Sequence, residues 1–549
     1  MSSAVPGTHT VSPHGDATGK PKNPHAGPWI LAATILGSSL SFIDGTVVNV
    51  ALPTLQRDLH ATGADVQWVV EAYALFLAAL ILVGGSLGDR LGRRLVYVTG
   101  IIIFTLASLW CGLAPNVTQL IAGRAVQGIG GALLVPGSLA IISAAFEGDR
   151  RGKAIGTWSG FTTVTSALGP VLGGWLIQNT SWRWVFFINA PLAALTLVLV
   201  FRHVPESRDE GEKGRLDVLG AALVTLGLAG VVYGLIEWGA TTRLSDPVVL
   251  GPLIGGLVAL ALFILAEDRE RNPMMPLSLF RSRTFSGANA LTLFLYGGLG
   301  GALYFLPFNL QQVQGYSPTA AGAALLPFTA IVFLFSRWTG GLVGRIGAKI
   351  PLTIGPLIVA AGFALFARPG VGGSYWTTFF PAVVVMSVGM ALVIAPLTTT
   401  VMGAVAQNRS GLASGVNNAV SRTAGLLAIA VLGIVVATAF NSNLDKNLAA
   451  AKAPPAVVSA INGQRAKLAG AQVPASVGAP ERAVLRRAVG ESYVSGFRLA
   501  MLTSAALAIL SAAIAFLFIE GKGAAGPQSA TQAAGARTGV HERQPRPAR

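Results

Sequence analysis

The sequence predicts an all-α integral membrane protein with fourteen transmembrane helices in two related halves, and three observations support this fold class. Of the 549 residues, 52% are hydrophobic and only 11% are charged, whereas soluble domains contain roughly 25% charged residues. Fourteen apolar runs have the length of about 20 residues that a helix needs to cross a bilayer. Two short motifs also recur in the second half of the chain. A chain of several water-soluble domains is therefore excluded.

The predicted spans follow one another along nearly the whole chain, each as an apolar run between polar or glycine-rich turns. They are 29–53, 67–88, 95–113, 118–145, 154–177, 184–201, 216–238, 248–266, 285–310, 319–343, 351–367, 377–402, 416–440 and 497–519. Residues 1–27 and 521–549 are polar and lack periodicity, so both termini are predicted to be disordered. The longest loop, 441–496, contains the amphipathic segment Pro480–Val494. This loop is either a helical cap or a solvated linker.

The two halves are recognised by their repeated motifs. GSLGDRLGRR (Gly85–Arg94) returns as GGLVGRIGAK (Gly340–Lys349), without its acid, and RRGKAIG (Arg150–Gly156) returns as RSGLASG (Arg409–Gly415). Internal repeats in an apolar chain are typical of secondary transporters, in which substrate binds between the repeats and each side is opened in turn.

The distribution of Lys and Arg predicts the orientation in the membrane. Seventeen of these residues lie in short loops after even-numbered spans and four lie after odd-numbered spans. Because cytoplasmic loops carry the excess of positive charge, the even loops and both termini are predicted to be cytoplasmic. The net charge of +16 is then explained by the Lys and Arg residues of the cytoplasmic loops, which also contact the lipid bilayer. Basic residues scattered over many loops do not form the single basic face that nucleic acid requires.

Several kinds of site are excluded by composition. The chain has one cysteine, Cys111, and six histidines that all lie in tails or loops, so no metal site is predicted. The absence of a GxxxxGK[ST] phosphate loop argues against an ATP-driven pump. No nucleophile with a neighbouring base is recognisable, so an enzyme is not predicted.

A few polar side chains within the spans form the candidate site, because an ionisable group in hydrocarbon is costly and usually functional. Counted from predicted outer helix ends, Asp44 and Arg124 lie about 13 and 12 Å deep at 1.5 Å per residue, so they can meet. Gln127 lies one turn after Arg124. Glu71 is shallower, about 7 Å deep, and is a candidate for an outer vestibule or simply a solvated acid. Asp44 is either a proton carrier or a permanent structural partner of Arg124.

Two further clusters predict moving parts. The first lies at the cytoplasmic end of the second span, where charged residues between glycines could form and break contacts as the cytoplasmic side opens. Its members are Gly85, Asp89, Arg90, Gly92 and Arg93. Within the fifth span, a proline that bends the helix and glycines that permit close packing are Gly169, Pro170, Gly173 and Gly174.

Together these motifs resemble the major facilitator superfamily, and more narrowly its fourteen-helix drug:proton antiporter family. The resemblance rests on GSLGDRLGRR and on FIDGTVVNVALP (Phe42–Pro53), RAVQGIGGA (Arg124–Ala132), LGPVLGG (Leu168–Gly174) and WRWVFFIN (Trp182–Asn189). It implies the major facilitator fold. Two six-helix bundles, 28–203 and 285–520, would then flank an inserted helix pair within 204–284.

The resemblance also implies roles for individual residues. Asp44 is expected to accept the proton and Arg124 to be its coupling partner, with Glu71, Asn49 and Gln127 as further coupling or substrate residues. The clusters at the second and fifth spans are expected to be a conformational latch and an antiporter bend. The implied activity is export of lipophilic drugs or antibiotics in exchange for protons, by a cofactor-free monomer in a bacterial plasma membrane.

The substrate is left open by the sequence. Residues 271–444 contain no Asp or Glu, which argues against doubly charged cations as cargo. Aromatic side chains that could line an apolar cavity are Tyr73, Phe161, Tyr296, Tyr304 and Phe308. The alternatives are a native cargo, such as a metabolite, siderophore or lipid, and a receptor or scaffold that transports nothing.

Overall fold

The computed structural model describes residues 26–208, 216–406 and 409–521. Among these residues, fourteen helices are long and apolar enough to cross a membrane, which confirms the predicted fold class. The termini predicted to be disordered lie almost entirely outside the described residues.

The first six spans form the N-terminal bundle. They are α1 (Ala26–Asp58), α2 (Gly63–Leu91), α3 (Arg93–Leu113), α4 (Val117–Ala145), α5 (Gly148–Asn179) and a sixth span made of α6 (Trp184–Phe187) and α7 (Asn189–His203). Polar caps start two of these helices: Thr62 and Asp65 form a capping box at α2, and Asn116 accepts a hydrogen bond from the Gln119 amide at α4. Glycines then bring α4 very close to its neighbours; a Cβ at Gly128 would lie 2.5 Å from the Tyr73 carbonyl oxygen.

An inserted hairpin, α8 (Val218–Thr241) and α9 (Pro247–Arg269), follows. Asp246 caps α9 by accepting a hydrogen bond from the Val248 amide. The two helices pack against each other through glycines, and α8 also contacts α2. The pair therefore lies beside the bundles and leaves the space between them to other helices.

The last six spans form the C-terminal bundle. In chain order its helices are α10 (Arg283–Phe308), α11 (Pro318–Ala323), α12 (Leu326–Ile346), α13 (Lys349–Phe366), α14 (Tyr375–Gly403), α15 (Ser410–Ala450), α16 (Pro455–Asn462) and α17 (Ala479–Phe518). A turn of π-helix, Asn309–Val313, continues α10. Helices α11 and α12 together occupy the position of the tenth predicted span, and α16 lies outside the spans.

Helices α15 and α17 are longer than the sequence predicts. They have 41 and 40 residues, or about 60 Å at 1.5 Å per residue, so they extend well beyond a hydrocarbon core of about 30 Å. Their extensions pack together outside it; Asn447 Nδ2, for example, donates to Ser492 Oγ at 2.9 Å. Hydropathy detects only the lipid-buried part of each helix, which is why the predicted spans stop at 440 and begin at 497.

The segment 441–496, here called the outer cap, is packed. Val457, Ile461 and Leu485 are buried within it, and Arg465 pairs with Asp445. It consists of the extensions of α15 and α17 with α16 and a short 3₁₀ turn between them. Below, "outer" denotes the side of the membrane that carries this cap, as the sequence predicts.

The two bundles meet at their outer halves. Gln311 Nε2 donates to the Val50 carbonyl at 2.9 Å, and Gln312 Nε2 donates to Gln56 Oε1 at 2.8 Å. At the level below, Gly45 of α1 is exposed, and a Cβ placed there would meet nothing within 4 Å. The two bundles are therefore in contact at their outer halves and separated at the level of Gly45, which is next to the site described below.

Candidate functional site

Asp44 lies at the centre of a buried cluster of hydrogen bonds. Its carboxylate has no exposed surface. Arg124 Nη1 donates to Oδ2 at 2.5 Å, and Gln127 Nε2 donates to Oδ1 at 2.8 Å. Asn189 Nδ2 is a third donor, 3.4 Å from Oδ1. The structure thus brings together Asp44 and Arg124, which the sequence analysis places at one depth, with Gln127, and adds Asn189.

The guanidinium of Arg124 makes several interactions besides its ion pair with Asp44. Its Nε donates to the Val69 carbonyl at 3.0 Å, and its Nη1 also donates to Gln127 Oε1 at 2.8 Å. The ring of Tyr73 lies 4.3 Å from the guanidinium carbon, close enough for a cation–π interaction. A buried ion pair is stable only when its remaining donors and acceptors are satisfied, and this one has nearly all of them satisfied.

Local sequence explains this arrangement. Arg124 and Gln127 are three residues apart, so they share one face of α4. The break between α6 and α7 places Asn189 at the start of α7, where its Nδ2 also donates to Ser108 Oγ at 3.0 Å. Asn189 was missed as a site residue although WRWVFFIN contains it, because its role depends on where the sixth span breaks.

The hydrogen bonds of this cluster depend on the charge of Asp44. The ionised carboxylate accepts from Arg124, Gln127 and Asn189, and adding a proton removes the negative charge that offsets Arg124. The guanidinium then has only neutral acceptors and the Tyr73 ring. Protonation of Asp44 would therefore weaken the link between α1 and α4.

Asn49 and Glu71 lie outside this cluster. Asn49 is partly exposed on α1. Glu71 is fully buried, and neither carboxylate oxygen has a hydrogen-bond partner. The alternative of a solvated acid is therefore wrong; with the outer side closed, Glu71 lies near Tyr304 of α10, with which it interacts electrostatically. Helices of the second half cover this face of α2, and one helix's depth in the membrane cannot reveal such a contact.

The motif after α2 forms a compact charged turn. Asp89 Oδ1 accepts from Arg93 Nε at 2.8 Å. Gly92 separates α2 from α3 with φ +122°, a conformation that favours glycine. Glu206, which sequence analysis missed, accepts hydrogen bonds from the amides of Arg94 and Leu95 at 3.0 and 3.1 Å. This carboxylate caps the start of α3. The sequence feature that could have indicated it is an acidic residue just after the basic end of the sixth span.

The remaining members of the motif lie on α2 itself. Gly85 faces Pro136 of α4, which a Cβ would approach to 3.7 Å. Arg90 lies in the last turn of α2.

The glycines of α5 provide close packing. A Cβ at Gly169 or Gly173 would collide with Thr46 or Val47 of α1, and one at Gly174 would collide with the Pro318 carbonyl at the start of α11. Pro170 lies within α5, and its carbonyl faces Gly322 of α11. The motif therefore lies at the contact between the two bundles.

Most of the aromatic residues expected to line a cavity are packed in the interior. Tyr73, Tyr304 and Phe308 are buried. Phe161 is 55% exposed, and Tyr296 lines a small cavity of about 100 Å³. Within the described ranges, no group of three or more His, Cys, Asp or Glu side chains could hold a metal ion.

Comparison with known proteins places the chain in a family. The sequence pattern of the Major Facilitator Superfamily matches residues 34–429. The chain is 35% identical over 508 residues to the multidrug resistance protein Stp of Mycobacterium tuberculosis, covering 89% of this chain and 90% of Stp. It is 33% identical over 519 residues to the tetracenomycin C resistance and export protein of Streptomyces glaucescens, covering 91% and 94%.

Solved structures share the fold at low sequence identity. An inward-facing, unoccupied bacterial homologue of the human lysosomal transporter Spinster superposes with a TM-score of 0.62 and 19% identity, covering 90% of this chain and 97% of that one. A D-xylose–proton symporter superposes with a TM-score of 0.56 and 15% identity, covering 90% and 98%. With a family match across more than half of its length, this multi-pass membrane protein belongs to the major facilitator superfamily and is a transporter of small molecules, not an enzyme.

Proposed function

We propose that this protein is a proton-coupled antiporter that exports lipophilic drugs or antibiotics by alternating access. The observation that carries the proposal is the buried Asp44 carboxylate, hydrogen-bonded to three donors at mid-depth in a transporter. Relatives of similar length are named for multidrug resistance and for tetracenomycin C resistance and export, and a shorter match, at 36% identity over 411 residues, is named for puromycin resistance.

The proposed cycle alternates proton and drug. With the inner side open, Asp44 loses its proton to the cytoplasm, pairs with Arg124, and the cavity takes up drug. With the outer side open, a proton reaches Asp44 and weakens that pair, and the drug leaves. Only the proton gradient drives the exchange, so no cofactor is required.

The proposal includes a location. The protein is a monomer in the bacterial plasma membrane, with both termini and the charged turn after α2 in the cytoplasm. The excess of Lys and Arg in the even-numbered loops supports this orientation.

Proton flux in proteoliposomes tests the function. An interior-acidic gradient is imposed, puromycin, tetracenomycin C or a lipophilic cation is added, and loss of the gradient is followed. We expect drug-dependent loss with the wild type and none with Asp44→Asn. Asp58→Asn is the matched control, because Asp58 is an exposed acid at the end of the same helix.

Two results would contradict the proposal. Equal gradient loss with Asp44→Asn would remove Asp44 from the coupling mechanism. No response to any compound, from protein shown to be folded, would reject drug:proton exchange.

A further inference from the structure

Arg422 lies deep in α15 of the C-terminal bundle. It is twelve residues after Ser410, where the helix begins, which is about 18 Å along the axis. The predicted span, 416–440, would leave it within two turns of a helix end, from which a long side chain reaches water. The observed helix starts at Ser410, six residues earlier, so Arg422 lies more than three turns from the helix end.

Its guanidinium is not hydrogen-bonded or ion-paired within the part of the chain that the structure describes. The Nε atom is buried without an acceptor, and no hydrogen bond or ion pair of Arg422 is found among the described residues, although the residue as a whole is partly exposed. Arg124, by contrast, donates to Asp44, Gln127 and the Val69 carbonyl. An unpaired cation in a membrane interior is costly and marks a functional site.

Arg422 belongs to α15, which packs against α2 of the other bundle. Its charge interacts with the Tyr73 hydroxyl of α2, whose oxygen is hydrogen-bonded to Ser41 at 2.7 Å and whose ring contacts Arg124. Tyr73 thus interacts with the positive charge of each bundle. An anion beside Arg422 would lie close to the residues that respond to protonation of Asp44.

The surroundings of Arg422 are polar and free of acids. Asn418, four residues earlier on the same helix face, is exposed. It borders the cavity of about 100 Å³, whose polar lining consists of uncharged side chains: Tyr296, Thr398, Ser414, Asn417, Asn418 and Ser421. One turn beyond Arg422, a Cβ at Gly425 would meet nothing within 4 Å. Arg422 itself does not line that cavity, but its neighbour Ser421 and Asn418 one turn earlier do, so neutral hydrogen-bonding groups lie within one helical turn of the cation.

We propose that Arg422 binds an acidic group of the exported molecule, with Asn418 and Thr398 binding neutral polar groups next to it. A guanidinium suits this role because its planar donors match the two oxygens of a carboxylate or sulfonate. Preferred substrates are then lipophilic acids rather than lipophilic cations. This inference rests on the proposed export function, whose substrate class it names.

Calorimetry with two ligands of opposite charge tests the site without requiring transport. The full-length protein in lipid nanodiscs is titrated with naphthalene-2-sulfonate and with 2-naphthylmethylammonium, and titrations of empty nanodiscs are subtracted. We expect Arg422→Gln to weaken sulfonate binding about tenfold or more, since hydrogen bonds to a charged group are lost. Arg422→Lys keeps the charge and should lose less. Ammonium binding should not weaken in either variant.

Arg368→Gln is the matched control, because it removes one exposed positive charge from the same half of the chain. Unchanged sulfonate binding in Arg422→Gln would overturn the proposal. So would equal weakening of both ligands, or wild-type protein that prefers the ammonium. Failure of the export function would look different: sulfonate binding would still depend on Arg422, but proteoliposomes would not transport the compound.

Discussion

Asp44 and Glu71, two buried acids of the N-terminal bundle, have opposite surroundings. Asp44 accepts hydrogen bonds from Arg124, Gln127 and Asn189, whereas neither oxygen of Glu71 has a partner. A buried polar group without hydrogen bonds is rare in folded proteins and calls for an explanation. The explanation we favour is that the carboxyl of Glu71 is neutral when the two bundles are packed over it.

Replacing Glu71 with glutamine should therefore cost little. Glu71→Gln keeps the shape and is always neutral, so we expect the free energy of unfolding to change by less than about 1 kcal/mol. Chemical denaturation of the purified protein in detergent would measure it. A loss of about 3 kcal/mol or more, the cost of breaking a buried ion pair, would mean that Glu71 is ionised and paired.

Arg124 should behave in the opposite way. Arg124→Gln leaves Asp44 buried without its charge partner, so we expect a loss of about 3–5 kcal/mol in the free energy of unfolding. The double variant Asp44→Asn with Arg124→Gln should recover part of that loss, because no unpaired charge remains. A double variant whose loss equals the sum of the two single losses would show that the residues do not interact.

At the scale of single residues, the sequence was informative where the position of a residue along its own helix was enough to predict its neighbours. Depth along a helix placed Asp44 and Arg124 together, because both are measured from the same membrane surface. It gave less information on Glu71 and Arg422. The surroundings of Glu71 depend on which helix of the other bundle covers α2, and the depth of Arg422 depends on where α15 begins.

At the outer side, Gln56 links three elements: α1, the outer cap and the C-terminal bundle. Gln56 of α1 donates to the Lys467 carbonyl of the outer cap at 3.1 Å and accepts from Gln312 of the C-terminal bundle at 2.8 Å. These residues line a cavity of about 1050 Å³ beneath the cap. Opening the outer side must break both hydrogen bonds.

Removing this link should favour the outward-open state. With spin labels at Thr180 and Thr377, exposed residues near the outer ends of the two bundles, Gln56→Ala should increase the population at long distances. Electron paramagnetic resonance would measure the distribution. Gln178→Ala is the control, since Gln178 lines the same cavity but no hydrogen bond of its side chain is found among the described residues. Identical distributions in wild type and Gln56→Ala would show that the link does not hold the outer side closed.

The fifth-span motif lies at the same contact between the two bundles, within the membrane. A side chain at Gly174 would collide with Pro318 of α11, so Gly174→Val should prevent the outer halves from closing and abolish transport in proteoliposomes. Gly160→Val is the matched control on the same helix, because a Cβ there meets nothing within 4 Å. Full activity of Gly174→Val would show that this contact is dispensable. From the sequence, this motif was predicted to bend the helix and allow close packing. Its contact with α11 could not be predicted, because the sequence of one helix does not show which helix of the other half packs against it.

At the scale of the whole molecule, hydropathy and repeats were sufficient to predict fourteen spans and two halves. They left open whether 441–496 is a helical cap or a solvated linker, because the extensions of α15 and α17 are stabilised by each other in water and not by lipid. Nor could they predict which side of the transporter is closed. That property depends on contacts between halves that are far apart in the chain, such as Gln56 with Gln312.

The closed outer side predicts directional access to the middle of α1. Gly45 is exposed beside Asp44, and the one native cysteine, Cys111, is buried, so Gly45→Cys introduces one reactive thiol. A water-soluble, membrane-impermeant maleimide should label it in inside-out vesicles and much more slowly in right-side-out vesicles. The wild type is the control for Cys111. Faster labelling from the outer side would mean that the cavity opens outward, which the contacts between Gln311 and Val50 and between Gln312 and Gln56 oppose.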